Sequence, residues 1–89
     1  MTLQQLQSVE EVARAGSISG AARRLFLSQS RLSESVRSLE EELGVCLFER
    51  TNRGIVTTPD GEEFLTCIRP VLEGYRMIQE KYRQTAKWR

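Results

Sequence analysis

The chain has 89 residues, of which 39% are hydrophobic and 28% charged, and its formal net charge is +1. It has no histidine, and its two cysteines, Cys46 and Cys67, are far apart, which argues against a metal site and against cysteine–histidine catalysis. No apolar run approaches the roughly 20 residues of a membrane span, so we expect a small cytoplasmic binding domain with an appendage, not an enzyme, and without metal or cofactor.

The first predicted element is a helix from Leu3 to about Ala15. Thr2 and Gln5 have the spacing of a capping box, in which two side chains satisfy the free amides at a helix start. Gly16 follows at the position that favours a left-handed C-cap. Apolar residues recur at helical spacing along the segment and predict one buried face: Leu3, Leu6, Val9 and Val12.

A short second helix is predicted from about Gly20 to Phe26. Ser19 is interpreted as its N-cap, because serine accepts a hydrogen bond from the free amides of a first turn. Ser17 and Ile18 are then a short connection after the first helix, with Ile18 packed inward.

The third predicted helix runs from about Gln29 to Leu43, with Ser28 as N-cap and Gly44 as C-cap. Its apolar residues form one narrow stripe, so the opposite face is predicted to be exposed. With the second helix and the intervening turn it forms a helix-turn-helix over about residues 18–37. The exposed face holds hydroxyl groups, two arginines and a carboxylate, which are suited to hydrogen bonding in a groove: Ser30, Arg31, Ser33, Glu34 and Arg37.

A β-hairpin is predicted over about residues 47–58. Two runs rich in β-forming residues flank the turn formers Asn52, Arg53 and Gly54, which places Arg53 at the tip. A hairpin directly after a helix-turn-helix is interpreted as a wing.

A long helix is predicted from Pro59 to the last residue, 89, with Thr58 as its cap. It is longer than a head of 58 residues can cover, so we expect it to pair with a second copy of the chain. Its apolar residues alternate at spacings of four and three, the pattern of a coiled-coil seam, and Leu65 widens the stripe. The predicted dimerisation residues are Phe64, Ile68, Val71, Leu72, Tyr75, Ile78 and Tyr82.

Short motifs along the whole chain occur in one order that resembles the N-terminal DNA-binding domain and linker helix of the LysR-type transcriptional regulators. Each motif is weak alone, and the ordered set carries the resemblance. The matching residues are Leu6, Gly16-Ser17, Ala21-Ala22 with Leu25, Ser28-Gln29, Leu32-Ser33, Leu39-Glu40 with Leu43-Gly44, Leu47-Phe48 with Arg50, and Thr58 with Gly61.

The resemblance implies a mainly α winged helix-turn-helix over residues 1–58 and a linker and dimerisation helix over residues 59–89. It implies sequence-specific binding of double-stranded DNA by a nucleoid-associated bacterial regulator, with helix three in the major groove and the wing in the minor groove. Longer family members carry an effector-binding domain for a small molecule and can form tetramers. The chain is therefore expected to be a fragment or a truncated product that binds DNA as a homodimer.

The residues expected to contact bases are Gln29, Ser30, Ser33 and Glu34. Ser30 and Glu34 depart from the family, which often has proline and a basic or small residue there. A glutamate can accept a hydrogen bond from a cytosine N4 amine. The alternative for Glu34 is an ion pair within the helix, with Arg31 or Arg37.

Four arginines are expected to contact DNA, each with an alternative. Arg31 and Arg37 contact phosphates or bases, or pair with glutamates of their own helix. Arg53 enters a minor groove, where the negative potential is strong, or is a solvated tip residue. Arg50 contacts DNA or supports the wing through a carboxylate.

A protein-interaction module without DNA contact is the rival interpretation. Residues 40–49 carry four glutamates, which favours a protein partner over DNA. Residues 17–39 carry four arginines and one glutamate, so the near-neutral total charge hides a basic segment at the helix-turn-helix.

Overall fold

The computed structural model describes residues 1–85 and contains, in that range, four helices and one antiparallel hairpin. This is the predicted mainly α winged helix-turn-helix followed by a long helix. The predicted part of the last helix beyond residue 85 lies outside the described residues. The elements are α1 (Leu3–Ala15), α2 (Ile18–Leu25), α3 (Gln29–Leu43), β1 (Phe48–Thr51), β2 (Gly54–Thr57) and α4 (Pro59–Thr85).

Both ends of α1 follow the prediction. The amide of Gln5 donates to Thr2 Oγ1 at 3.1 Å, and the amide of Thr2 donates to Gln5 Oε1 at 2.9 Å, which completes the capping box. Gly16 adopts the left-handed conformation, with φ 70°, and its amide donates to the carbonyl of Val12. The chain thereby reverses within one residue.

The start of α2 corrects the prediction. Its N-cap is Ser17, whose Oγ accepts a hydrogen bond from the amide of Gly20 at 3.0 Å. The predicted cap, Ser19, is wrong because the left-handed Gly16 completes the reversal and lets the helix begin at Ile18. At the other end, Phe26 is the left-handed C-cap of α2 and not a helical residue.

The prediction for α3 is confirmed. The amide of Arg31 donates to Ser28 Oγ at 3.1 Å at the first turn, and Gly44 ends the helix at φ 77°. Leu32, Val36 and Leu39 are its buried residues.

Two adjoining apolar clusters form the core. One lies under the helix-turn-helix and fixes α2 against α3; its buried members are Val12, Ala21, Ala22, Leu32 and Val36. The other joins α1 and the C-terminal half of α3 to α4, with buried members Leu6, Val9, Leu39, Leu47, Leu65, Ile68 and Leu72. Phe48 packs against both clusters at the first residue of the wing.

Leu47 and its polar contacts, which we call the Leu47 node, join three elements. The Leu47 side chain is completely buried, and its amide donates to Glu40 Oε2 of α3 at 2.6 Å. Its carbonyl accepts from the amide of Thr58 at 3.0 Å, just before α4. The Thr58 hydroxyl donates to the carbonyl of Cys46 at 2.6 Å and accepts from the amide of Gly61 at 2.9 Å. The three elements α3, wing and α4 therefore share one anchor.

The apolar seam predicted on α4 is divided between two faces of the helix. Ile68 and Leu72, predicted to bind a second copy, are instead 4% and 1% exposed, buried in the core of their own chain beside Leu65. Residues 65, 68 and 72 lie on one helical face, and that face packs on the head. The neighbouring stripe keeps Val71, Ile78 and Tyr82 exposed.

Two further members of the predicted seam, Phe64 and Tyr75, are half-buried. Phe64 packs against the edge of the core cluster that contains Leu65.

Within residues 1–85, no helix has both the length and the apolar character needed to cross a bilayer.

Replacing Gly61 by alanine is expected to destabilise the fold by about 2–3 kcal/mol, because overpacking against backbone cannot be relieved by a rotamer change. A Cβ at Gly61 would lie 2.2 Å from the carbonyl oxygen of Leu47. The matched control is Gly74→Ala in the same helix, where a Cβ meets nothing within 4 Å. It should be neutral or stabilise by about 0.5–1 kcal/mol. Equal effects in urea denaturation would contradict this packing.

Replacing Glu40 by alanine is expected to loosen the wing. Glu40 Oε2 accepts from the amides of Leu47 and Phe48, at 2.6 and 3.3 Å, and losing an acceptor for such amides costs about 1–3 kcal/mol. Hydrogen exchange at these two amides should accelerate, and Glu40→Gln should restore part of their protection. The control is Glu41→Ala, at an exposed position. Unchanged exchange in Glu40→Ala would show that the carboxylate does not hold the wing.

Candidate nucleic-acid interface

The exposed face of α3 is a polar ridge that begins at its first turn. Leu32, Val36 and Leu39 hold the opposite face in the core, so the ridge points away from the molecule. Of the six α3 residues predicted to bind DNA, five are exposed and Ser33 is half-buried. The exposed five are Gln29, Ser30, Arg31, Glu34 and Arg37.

On one side of the ridge, four of the predicted residues meet between α3 and the wing. Ser33, Arg37 and Arg50 line an open depression of ≈ 200 Å³. Gln29, Ser33 and Arg50 also line an adjoining depression of ≈ 240 Å³. The two share Ser33 and Arg50, so they form one continuous surface that joins the start of α3 to β1.

On the other side, Arg31 and Glu34 lie away from the wing and line a shallow surface with Gln5 of α1. The predicted alternative for Glu34, an ion pair with Arg31 or Arg37, is not formed: across residues 1–85, no ion pair involves Glu34. Its carboxylate is exposed at the surface.

The wing is fixed to the turn between α1 and α2. The amide of Ile55 in β2 donates to the carbonyl of Gly16 at 3.1 Å. Gly54 permits this approach, because it has φ 116° and a Cβ there would lie 2.8 Å from the Gly16 carbonyl oxygen. This hydrogen bond holds β2 against the turn between α1 and α2.

Arg53 lies at the tip of this anchored hairpin. Thr51 pairs with Gly54, which leaves Asn52 and Arg53 as a two-residue turn. Thr51 Oγ1 accepts from the amide of Arg53 at 3.1 Å and donates to the carbonyl of Gly54 at 3.1 Å. Arg53 is exposed and lines neither depression beside α3, so it is spatially separate from the residues that line them.

The arginines of this surface are free of carboxylate partners in the described part of the chain, Arg50 included: none of Arg31, Arg37, Arg50 and Arg53 forms an ion pair. Arg24 on α2, in contrast, has its Nε 2.8 Å from Glu11 Oε2 of α1. The residues that remain available to an anion therefore include the four arginines of α3 and the wing.

Sequence reasoning missed Ser17 and Ser19 as members of the surface. Both line the depression that contains Gln29 and Arg50, at the first turn of α2. A serine directly after a glycine C-cap is an N-cap candidate, but choosing Ser17 over Ser19 requires knowing how abruptly Gly16 reverses the chain. The described residues contain no group of three or more His, Cys, Asp or Glu side chains placed to hold a metal ion.

Curated relatives of this chain are transcriptional regulators with a helix-turn-helix. The HTH-type transcriptional regulator ClcR of Pseudomonas putida is 44% identical over 72 residues, which are 81% of this chain and 24% of ClcR. PunR of Escherichia coli strain K12 is 41% identical over 85 residues, 94% of this chain and 27% of PunR. The chain thus spans about a quarter of the length of these relatives.

Solved structures match the same fold along nearly the whole chain. The DNA-binding domain of CbnR, solved in complex with DNA, is 38% identical, with a TM-score of 0.82 over 98% of this chain and 100% of that domain. The BenM domain in complex with catB site 1 DNA is 32% identical, with a TM-score of 0.85 over 99% of this chain and 100% of that domain.

A family model reaches from α1 into the first turn of α4. The family is described as bacterial regulatory helix-turn-helix protein, lysR family, and its model matches residues 3–62. That range contains the helix-turn-helix, the anchored wing and the Leu47 node. With its order of motifs and its fold, the chain belongs to the LysR family of bacterial helix-turn-helix regulators.

Proposed function

We propose that this chain is a sequence-specific duplex-DNA-binding module of a bacterial transcriptional regulator, a binding domain and not an enzyme, and that it acts in the cytoplasm. One observation carries the proposal: the polar ridge of α3 lies beside an anchored, arginine-tipped wing. A matching domain, that of CbnR, was solved in complex with DNA.

Base recognition is assigned to the first half of α3. A major groove about 12 Å wide admits a helix, whose first turns then reach the base edges. Gln29, Ser30, Ser33 and Glu34 present amide, hydroxyl and carboxylate groups there. Because Glu34 forms no ion pair in the described residues, its carboxylate is available to accept from a cytosine amine.

Affinity is assigned to the arginines. Arg31, Arg37 and Arg50 lie on or beside the ridge, where phosphates border a groove that holds α3. Arg53 extends from the wing tip toward the neighbouring minor groove, whose negative potential attracts arginine. The family fold and the free guanidinium groups favour this assignment over a supporting role for Arg50.

The rival interpretation, a module that binds only protein, loses part of its basis. It rests on the acidic stretch of residues 40–49, but the Glu40 carboxylate accepts hydrogen bonds from the amides of Leu47 and Phe48. The Glu40 carboxylate therefore stabilises the wing and is not available to a protein partner.

A homodimer through α4 is part of the proposal. The exposed stripe of Val71, Ile78 and Tyr82, continued by the half-buried Phe64 and Tyr75, runs along α4 beside the face that packs on the head. Burying it in a second copy removes apolar area from water. Two heads then meet half-sites about one helical turn, or a multiple of it, apart on one face of the duplex. Effector binding and tetramer formation are assigned to other parts of longer family members.

Duplex binding is tested by the salt dependence of affinity. If the chain neutralises several phosphates, its log Kd should rise linearly with the logarithm of the salt concentration. The slope should be about 0.9 for each phosphate that is neutralised on duplex DNA. Fluorescence anisotropy on duplexes selected from a random pool measures the slope, and Arg53→Ala should reduce it by about one for each bound head, hence by about two for the proposed dimer. No binding to any selected duplex, or a flat salt response, would contradict the proposal.

The dimer is tested by Ile78→Asp. A charge in the exposed stripe should convert the dimer to monomer, because an unpaired carboxylate cannot be buried without a large cost. Met77→Asp is the matched control, since Met77 and Ile78 are 62% and 61% exposed but point about 100° apart around the helix. Sedimentation velocity should show monomers for the first variant and dimers for the second. Dimers in both would place the interface elsewhere.

A further inference from the structure

Phe26 has an unusual combination of backbone and side-chain environment. Its side chain is 94% exposed, and its φ of 59° is the only positive value at a non-glycine residue among residues 1–85. It belongs to neither core cluster, while its neighbours Leu25 and Leu27 pack against the cluster under the helix-turn-helix. The ring therefore contributes no packing to the described fold.

The turn requires this backbone conformation but not this side chain. The amide of Leu27 donates to the carbonyl of Ala22 at 3.0 Å, and the amide of Phe26 donates to the carbonyl of Arg23 at 3.4 Å, a Schellman-type helix end. Such an end needs a left-handed residue, which is usually glycine or asparagine. The same chain places Gly16 and Gly44 at the left-handed caps of α1 and α3. At α2 it carries a phenylalanine that costs stability and packs on nothing.

The position of Phe26 places it beside the DNA in the proposed binding mode. It precedes Gln29, the first residue of α3, by three residues, a distance of at most about 11 Å along the chain. The major groove is about 12 Å wide. When the first turn of α3 lies in the groove, the turn before it lies at the groove edge, where the sugar–phosphate backbone runs.

We infer that Phe26 is an apolar contact to the DNA backbone, with its ring against deoxyribose carbons at the edge of the groove that holds α3. The inference rests on the proposed function. The contact fixes the depth and tilt at which the helix-turn-helix enters the groove. It adds affinity on every sequence, since deoxyribose carbons carry no base information. Strain at an exposed cap is retained because the side chain acts on a partner and not on the fold.

The test replaces Phe26 by asparagine, which tolerates the left-handed conformation. The melting temperature of Phe26→Asn should rise by a few degrees, because the strain is relieved. Its affinity for duplex DNA should fall by about five- to tenfold for each bound head, the loss expected for one buried ring. The salt slope and the base preference should not change, because no charge and no base contact is removed. Phe26→Tyr, which keeps the ring, should retain affinity.

Met77→Gln controls for the loss of an exposed apolar side chain far from the α2–α3 turn and should leave affinity unchanged. Wild-type affinity in Phe26→Asn would overturn the inference and leave the proposed function intact. The exposed ring would then be assigned to a protein partner. A changed base preference would overturn it as well, since the residue would then act on base reading. If the 89-residue wild-type chain bound no duplex, the proposed function would fail and this inference with it.

Discussion

The position of the Leu47 backbone between α3 and α4 is the constraint on which the rest of the molecule depends. Its amide donates to Glu40 of α3, and its carbonyl accepts from the amide of Thr58 just before α4. Gly61 is required beside it, because any Cβ would meet that carbonyl. Buried backbone groups must be paired, so these contacts fix α3, wing and α4 as one unit. The second anchor, Ile55 to Gly16, fixes the wing at its other strand.

The packing of α4 on the head determines which of its apolar residues are buried. The face with Leu65, Ile68 and Leu72 completes a core that a short chain cannot otherwise build. Val71, Ile78 and Tyr82 of the neighbouring stripe stay exposed in the described residues, and a second copy of the chain is their proposed cover. One helix thereby connects the stability of the head to the assembly of the proposed dimer. An ion pair between Arg76 of α4 and Glu10 of α1 adds to the same contact.

Much of the fold was predictable because local chemistry decides it. Capping residues and glycines marked α1 and α3 correctly, and the turn formers placed the wing. Ser17 and the divided seam were not predictable in the same way. The first depends on how abruptly Gly16 reverses the chain, and the second on which face of α4 meets the head. The candidate site residues on α3 were predicted from the exposed helical face and the family resemblance, whereas their separation into two flanks depends on where the wing is anchored.

In the proposed binding mode, α3 lies in a major groove and the wing lies in the adjacent minor groove. Hydroxyl-radical footprinting of the chain on a selected duplex tests it most directly. The account predicts protected sugars on one face of the DNA, at the edges of a major groove and in the flanking minor groove, with Arg53→Ala removing only the minor-groove protection. Uniform protection on all faces of the duplex would contradict this binding mode, and so would minor-groove protection that Arg53→Ala leaves intact.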